Sequence, residues 1–409
     1  MQNDLKKDYL WNTLGVFSQN AISPLLLIAI TRLNGIGGSG IFSYAFSVAI
    51  IFWGLGMWGG RTFQVSDVKR EFSQRSYVMV RLILAAFILI GAVLFCFVNR
   101  YDTTKTTVII ALVLFKVLES ISDAIYGILQ VHGHLYISGR SLLYKAVAGF
   151  VVFVGFDALT KSLLWASLGV VVVNALVMFF YDLPKTSKLE VISIGRKQIR
   201  QYITEAFTIM RRCAPIATVI FLSLFSLNIP RYFVDKYHPA QIGYFGIIAM
   251  PITLIALLMA FILQPKVVEL SNLYEQKHHA QFRSIVTKLT LVTSMLGVAV
   301  WVGAFLVGVP ALKLVFGVDF AQYKTALMVI IAGGIVNAMV SILINVLIIM
   351  RHFKGQFYTL LSTNILLVIT SAILVKREGL LGGVTLFALV NIVQVLALLV
   401  TYAQGFSTE

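Results

Sequence analysis

The sequence predicts an all-α polytopic membrane protein. About twelve transmembrane helices are expected, in two six-helix lobes related by a parallel pseudo-two-fold repeat. Three observations predict it. First, hydrophobic residues make up 59% of the 409 residues and charged residues 12%, with mean hydropathy +0.89; soluble domains carry about a quarter charged residues. Second, apolar runs long enough to cross about 30 Å of hydrocarbon recur along the whole chain. Third, basic residues collect on alternate connections between those runs. A soluble enzyme of this composition would have too little charge to cover its surface. The net charge of +16 does not point to nucleic acid, because the bases lie mostly between apolar runs, at headgroup depth.

The spans fall at about 9–31, 38–60, 77–98, 107–130, 141–158, 161–181, 207–229, 240–262, 286–309, 323–349, 356–375 and 380–403. The fifth and sixth are separated only by Asp157 to Lys161. The polar start, Met1 to Asp8, leads into the first span with no small-residue cleavage site, so it reads as a spanning helix rather than a removed signal. With the N-terminus and the even-numbered connections on one side, that side carries 22 Lys and Arg and the other 10, while Lys116 lies within a span. Positive residues stay inside, so both termini are expected in the cytoplasm. The longest connection holds many of these bases and divides the chain into a lobe over 1–182, a basic cytoplasmic linker over 183–206 and a lobe over 207–409.

The two halves are weakly alike where their first two spans meet. Thr31-Arg32-Leu33 is followed by Gly40-Ile41-Phe42-Ser43-Tyr44 and a run to Arg61-Thr62-Phe63-Gln64. Pro230-Arg231-Tyr232 is followed by Gly243-Tyr244-Phe245-Gly246-Ile247 and a run to Gln264-Pro265-Lys266. Six spans separate the two copies, so both start from the same side, which makes the repeat parallel. Short Gly/aromatic strings also recur by chance in apolar chains. Arg32 and Arg231 take equivalent outer positions, and Arg61 and Lys266 equivalent inner ones. Guanidinium and ammonium there suit an anion such as phosphate; ordinary snorkelling to headgroups accounts for each one alone.

Polar residues inside the spans are costly and therefore informative. In the fourth span Lys116, Glu119 and Asp123 fall within about 60° of one another on a helix, and Ser120, Gly127 and Gln130 extend the stripe. Such a helix should face a partner or a water-filled cavity. Lys116 and Glu119 can pair locally. Asp123 then binds a cation or proton, or pairs with Lys145 of the next span; an ion-pair lock between helices explains the stripe nearly as well as transport does. The first span has a milder stripe of Asn12, Gln19, Asn20 and Ser23, and Pro24 is expected to kink it. Gly334, Asn337, Ser341 and Asn345 share a face of the tenth span, where close helix packing is the commoner meaning. Pro215, Pro251 and Pro265 punctuate other spans. Cys96 and Cys213 suggest neither a disulfide nor a zinc site, and the six histidines form no metal motif. No phosphate loop or nucleophile elbow is present, and the first outer loop has no acidic residue for sugar-transfer chemistry, so an enzyme is not expected.

The string Gly243-Tyr244-Phe245-Gly246 through Pro251 to Gln264-Pro265-Lys266 and Glu269-Leu270 resembles the eighth span of bacterial polysaccharide-biosynthesis flippases. These are the Wzx-type exporters of O-antigen and capsule repeat units, within the multidrug/oligosaccharidyl-lipid/polysaccharide exporter superfamily. Tyr126-Gly127-Ile128-Leu129-Gln130 with Gly139-Arg140-Ser141 is similar to the end of the family's fourth span, and Asn12 to Arg32 to its first. The two further spans of some lipid-linked-precursor flippases are not seen. The resemblance implies transport, by alternating access, of a polyprenyl-pyrophosphate-linked oligosaccharide from the inner to the outer leaflet of the bacterial cytoplasmic membrane. Arg32, Arg61 and Lys116 would lie near the headgroup path, with Asn12, Gln19, Asn20, Arg231 and Lys266 as further substrate contacts. Glu119, Asp123 and Lys145 would serve ion coupling, to a proton or sodium. No cofactor is expected, and a polysaccharide polymerase with its chain-length machinery is the expected protein partner. Two rivals stand: a cation-coupled multidrug antiporter of the same fold, whose cavity would be acidic and aromatic, and a non-transporting scaffold of a synthesis complex.

Overall fold

Hydrocarbon offers no water to backbone N–H and C=O groups, so a chain this apolar must satisfy them internally, and helices do so within one segment. In the computed structural model the described residues, 2–67, 69–190 and 198–406, are helical almost throughout. They form α1 (Gln2–Gly56), α2 (Arg61–Ser66), α3 (Gln74–Asn99), α4 (Thr103–Val131), α5 (Leu135–Thr160), α6 (Leu163–Val177) and α7 (Leu183–Ser187). These are followed by α8 (Ile199–Tyr237), α9 (Ile242–Ile248), α10 (Met250–Leu263), α11 (Val267–Glu275), α12 (His279–Gly303), α13 (Val309–Phe316), α14 (Lys324–Ile349) and α15 (Phe353–Gln404). The expected linker over 183–206 is partly helical, within α7 and α8, and its residues 191–197 lie outside the described ones.

Among the described residues, nine helical segments are long and apolar enough to cross a membrane. Two of them supply two crossings each: α1 has one non-helical residue, Gly35 (φ 70°, ψ −170°), and α15 has Gly379 (φ 61°, ψ −135°). The crossing that an apolar criterion misses is α4, whose middle holds Lys116, Glu119 and Asp123. With it, the described residues supply the twelve crossings the sequence predicts. Apolar side chains face outward on the lipid side: Phe87, Ile90 and Phe97 of α3 are 61–80% exposed, as are Met295 and Leu306 of the α12 segment at 64% and 68%. The protein is a multi-pass membrane protein.

The prolines differ in what they do to the backbone dihedrals. Helical dihedrals run through Pro24, and the only non-helical residue in α1 is Gly35, eleven positions later. Neighbouring groups in membrane helices re-satisfy the carbonyl that proline leaves free. Pro251 does mark a break, between α9 and α10, where Ile252 N bonds back only three residues to Ala249 O at 3.1 Å. Two further prolines act on the turn before them. A five-residue π-helical turn, Met178–Asp182, ends two residues before Pro184, and another, Ala304–Gly308, ends two residues before Pro310. A proline ring collides with the carbonyl four residues back, and a wider turn relieves that collision.

The chain divides into two compact units, Met1–Ala217 and Thr218–Glu409. The division falls inside α8. Its first half is fixed to the first unit: Arg75 donates to Tyr202 Oη at 2.9 Å, Ser76 donates to Glu205 Oε2 at 2.6 Å and Trp58 Nε1 donates to Met210 O at 2.8 Å.

In the first unit α1 and α5 touch backbone to backbone. A Cβ on Gly15 would lie 2.3 Å from Gly139 O, and one on Gly139 would lie 2.2 Å from Trp11 O. Small residues at a crossing allow this approach, and it brings Gln19 of α1 to α4. In the second unit α14 packs on α15, where Asn337 donates to Asn391 Oδ1 at 2.8 Å and Gln394 donates to Ser226 and Thr363 at 2.9 and 3.0 Å.

The Gly379 bend is held by Gln241, whose Oε1 accepts from Leu380 N at 2.7 Å; a Cβ at 379 would meet that oxygen at 2.5 Å. Gly379→Ala therefore combines a strained φ with loss of this contact and should cost about 1–3 kcal/mol. Gly35→Ala meets no atom within 4 Å and carries the backbone strain alone. Thermal unfolding of the purified protein in detergent should show the larger drop for Gly379→Ala.

Candidate functional site in the charged core of the first unit

No residue of α4 from Lys105 to Val131 is exposed; α4 is enclosed by α1, α2, α3 and α6. Each of the three charges in its middle, Lys116, Glu119 and Asp123, therefore has to find a partner inside the protein. The helix begins with Asp102, whose side chain accepts from Lys105 N at 2.9 Å.

Lys116 Nζ lies 2.5 Å from Glu119 Oε2, the local pair expected from their spacing. Gln19 of α1 donates to the other Glu119 oxygen. The Lys116 ammonium is surrounded by the rings of Phe46, Phe115 and Trp53, with centroids 5.0–5.5 Å away. Aromatic faces partly replace the lost hydration of a cation.

Asp123 pairs with two guanidiniums and not with Lys145. Arg81 of α3 lies 3.2 Å from Asp123 Oδ2, and Arg61, at the start of α2, lies 3.6 Å from Oδ1. Arg81 is 1% exposed and also donates to Gly56 O at 2.6 Å and Trp58 O at 2.8 Å, closing the open end of α1. Arg61 is 29% exposed.

Lys145 of α5 uses all three ammonium protons: on Asp182 Oδ2 at 2.6 Å, Ser122 Oγ at 2.8 Å and Tyr126 Oη at 2.9 Å. Tyr126 is also bonded to Ser141 at 2.8 Å. Asp182 is fully buried and closes the π-helical turn before Pro184. Its Oδ1 has no partner among the described residues.

A cavity of about 30 Å³ runs between these groups, bordered by Gln19, Glu119, Ser122, Tyr126, Lys145 and Asn174. That is room for about one water. The stripe of α4 thus forms a packed ion network.

The other predicted residues separate. Asn12 is half-buried near Gly139 of α5, with its Oδ1 unpartnered among the described residues. Asn20 turns back to Val16 O at 2.8 Å. Arg32 is exposed on α1. Arg231 lies over the ring of Phe245 at 5.9 Å, with an unpartnered Nε among the described residues. Lys266 pairs with Glu269 at 2.7 Å. On α14, Gly334 packs closely, a Cβ there reaching Ile252 Cγ1 at 3.0 Å, and together with Asn337, Ser341 and Asn345 it borders a cavity, while Asn337 also bonds to Asn391 of α15.

Sequence reasoning missed Arg81 and Asp182. Each lies within a few residues of a span end and was counted with a connection. The signals were the lone base in an otherwise apolar run and the proline two residues after Asp182, which widens the turn bearing it.

With this geometry, the chain can be compared with known proteins. No family model matches it. It is 22% identical over 375 residues, 90% of this chain and 92% of the relative, to the capsular polysaccharide biosynthesis protein CapF of Staphylococcus aureus. Among solved structures it is similar to an inward-facing multidrug resistance MATE family transporter of the MOP superfamily, with a TM-score of 0.72, 11% identity and 98% of each chain covered. The chain has that transporter fold, with its two six-helix lobes. It is similar also to the lipid II flippase MurJ in an inward closed conformation, with a TM-score of 0.71, 12% identity, and 97% of this chain and 87% of that one covered.

Two outcomes test the network. Lys145→Met or Asp182→Asn alone strands a buried group and should cost about 3–5 kcal/mol, whereas the double variant should recover much of that loss. Denaturation of the three variants checks the coupling. Arg81→Ala should destabilise by a similar amount, because it also frees two backbone carbonyls, while Arg61→Ala should leave the melting temperature almost unchanged.

Proposed function

We propose that this protein is a flippase for lipid-linked oligosaccharides. It moves polyprenyl-pyrophosphate-linked repeat units from the inner to the outer leaflet of a bacterial cytoplasmic membrane, by alternating access, with both termini in the cytoplasm. The observation that carries the reading is the second guanidinium on Asp123. Arg81 alone neutralises that carboxylate and is buried in doing so; Arg61 adds a cation that is 29% exposed. Around α4 the bases Arg61, Arg81, Lys116 and Lys145 exceed the acids Glu119, Asp123 and Asp182 by one. A pyrophosphate entering from hydrocarbon needs positive charge to offset its desolvation. A carrier of cationic drugs needs the opposite balance.

The likeness to a protein named for capsular polysaccharide biosynthesis supports the saccharide, and the likeness to a lipid II flippase supports the lipid carrier. Outward movement is driven by a proton or sodium gradient acting on the same charged network.

The test is leaflet accessibility of lipid-linked oligosaccharide in cells with and without the protein, read with a membrane-impermeant enzyme or lectin. Removal of the protein should deplete the outer pool, and an intact copy should restore it; an unchanged outer pool would falsify the reading. Arg61→Ala should lower the transport rate about 10- to 100-fold at normal protein level, the size of a lost charge-assisted bond. Arg61→Lys should keep part of it.

A further inference from the structure

The second unit has a cavity of its own, about 130 Å³, between α10 and α14. One wall is polar: Asn337, Ser341 and Asn345 recur every four residues along α14. The facing wall is aliphatic, with Ala256, Met259 and Leu263 of α10. Among the described residues, none bordering the cavity is charged.

Each polar group on that wall engages the protein once and keeps further bonding capacity. Asn337 donates to Asn391 Oδ1 at 2.8 Å, Ser341 Oγ to Asn337 O at 3.0 Å and Asn345 to Ser341 O at 2.8 Å. The Oδ1 atoms of Asn337 and Asn345 have no partner among the described residues, and each amide has a second N–H.

This arrangement selects a ligand by elimination. A phosphate would lose its hydration and meet no cation, and a cationic drug would meet no carboxylate. A lipid chain lying along that wall would cover two amides and a hydroxyl without offering them a hydrogen-bond partner. A sugar ring presents hydroxyls around its edge and C–H groups on its face, which matches a wall of neutral donors and acceptors opposite an aliphatic wall. The volume equals that of about four waters, so it takes one ring edge and not an oligosaccharide.

We propose that the α10–α14 cavity is a subsite for an uncharged sugar residue of the cargo headgroup. The identity of the cargo rests on the flippase reading; the chemistry of the subsite does not.

The test compares the affinity of the purified protein for two probes: a polyprenyl pyrophosphate bearing the host's repeat unit, and bare polyprenyl pyrophosphate. The wild-type protein should prefer the sugar-bearing probe, and Ser341→Ala with Asn345→Leu should reduce that preference about tenfold, the loss expected for two neutral hydrogen bonds. No wild-type preference, an unchanged preference, or equal weakening toward both probes overturns the subsite. If the double variant does not fold, Ser341→Cys gives a second readout: the sugar-bearing probe should slow its alkylation and the bare probe should not, and equal rates overturn the proposal. A wild-type protein that binds the sugar-bearing probe selectively but leaves it in its original leaflet overturns the flippase reading and keeps the subsite.

Discussion

α4 carries three charges through a largely buried region, and the architecture of the first unit follows from matching them. Lys116 and Glu119 meet within one turn. Asp123 draws in Arg81 from α3 and Arg61 from α2. The next helix pair supplies Lys145 and Asp182, with Ser122 and Tyr126 of α4 as further acceptors for the ammonium. Because an unpaired buried charge costs several kcal/mol, these contacts fix the rotation of α4 and the helices around it. Arg81 extends the network to the backbone by closing the end of α1 at Gly56 and Trp58.

The network separates two kinds of charge. Arg81, Lys145 and Asp182 are almost completely buried, so their first role is to hold helices together. Arg61 is the exception, since it shares a carboxylate already satisfied by a more deeply buried guanidinium. That difference in exposure separates Arg61 from the buried charges, and neither residue type nor spacing reveals it.

The two units also differ in the chemistry of their cavities. The small space beside α4 is bordered by charged groups and has room for about a water; the larger one between α10 and α14 is bordered by amides, a hydroxyl and aliphatic carbon, with no charge.

The sequence by itself determined the class, the number of crossings and the helix that carries the chemistry. These depend on the length of apolar runs, the side on which bases collect and the 100° step of a helix, all local properties. The Lys116–Glu119 pair was legible for the same reason, being three residues apart. The partners of Asp123 and Lys145 were not: Asp182 is 37 residues from Lys145 and Arg81 is 42 from Asp123. Both also lie where a boundary error of a few residues moves a side chain between headgroup and core. The break in α1 at Gly35 was likewise not read from the sequence; its positive φ is a conformation that glycine adopts without steric cost. The polar face of α14 was visible as a pattern, and only the placement of α10 against it decided that Gly334, Asn337, Ser341 and Asn345 border a cavity, with Asn337 also bonded to Asn391 of α15.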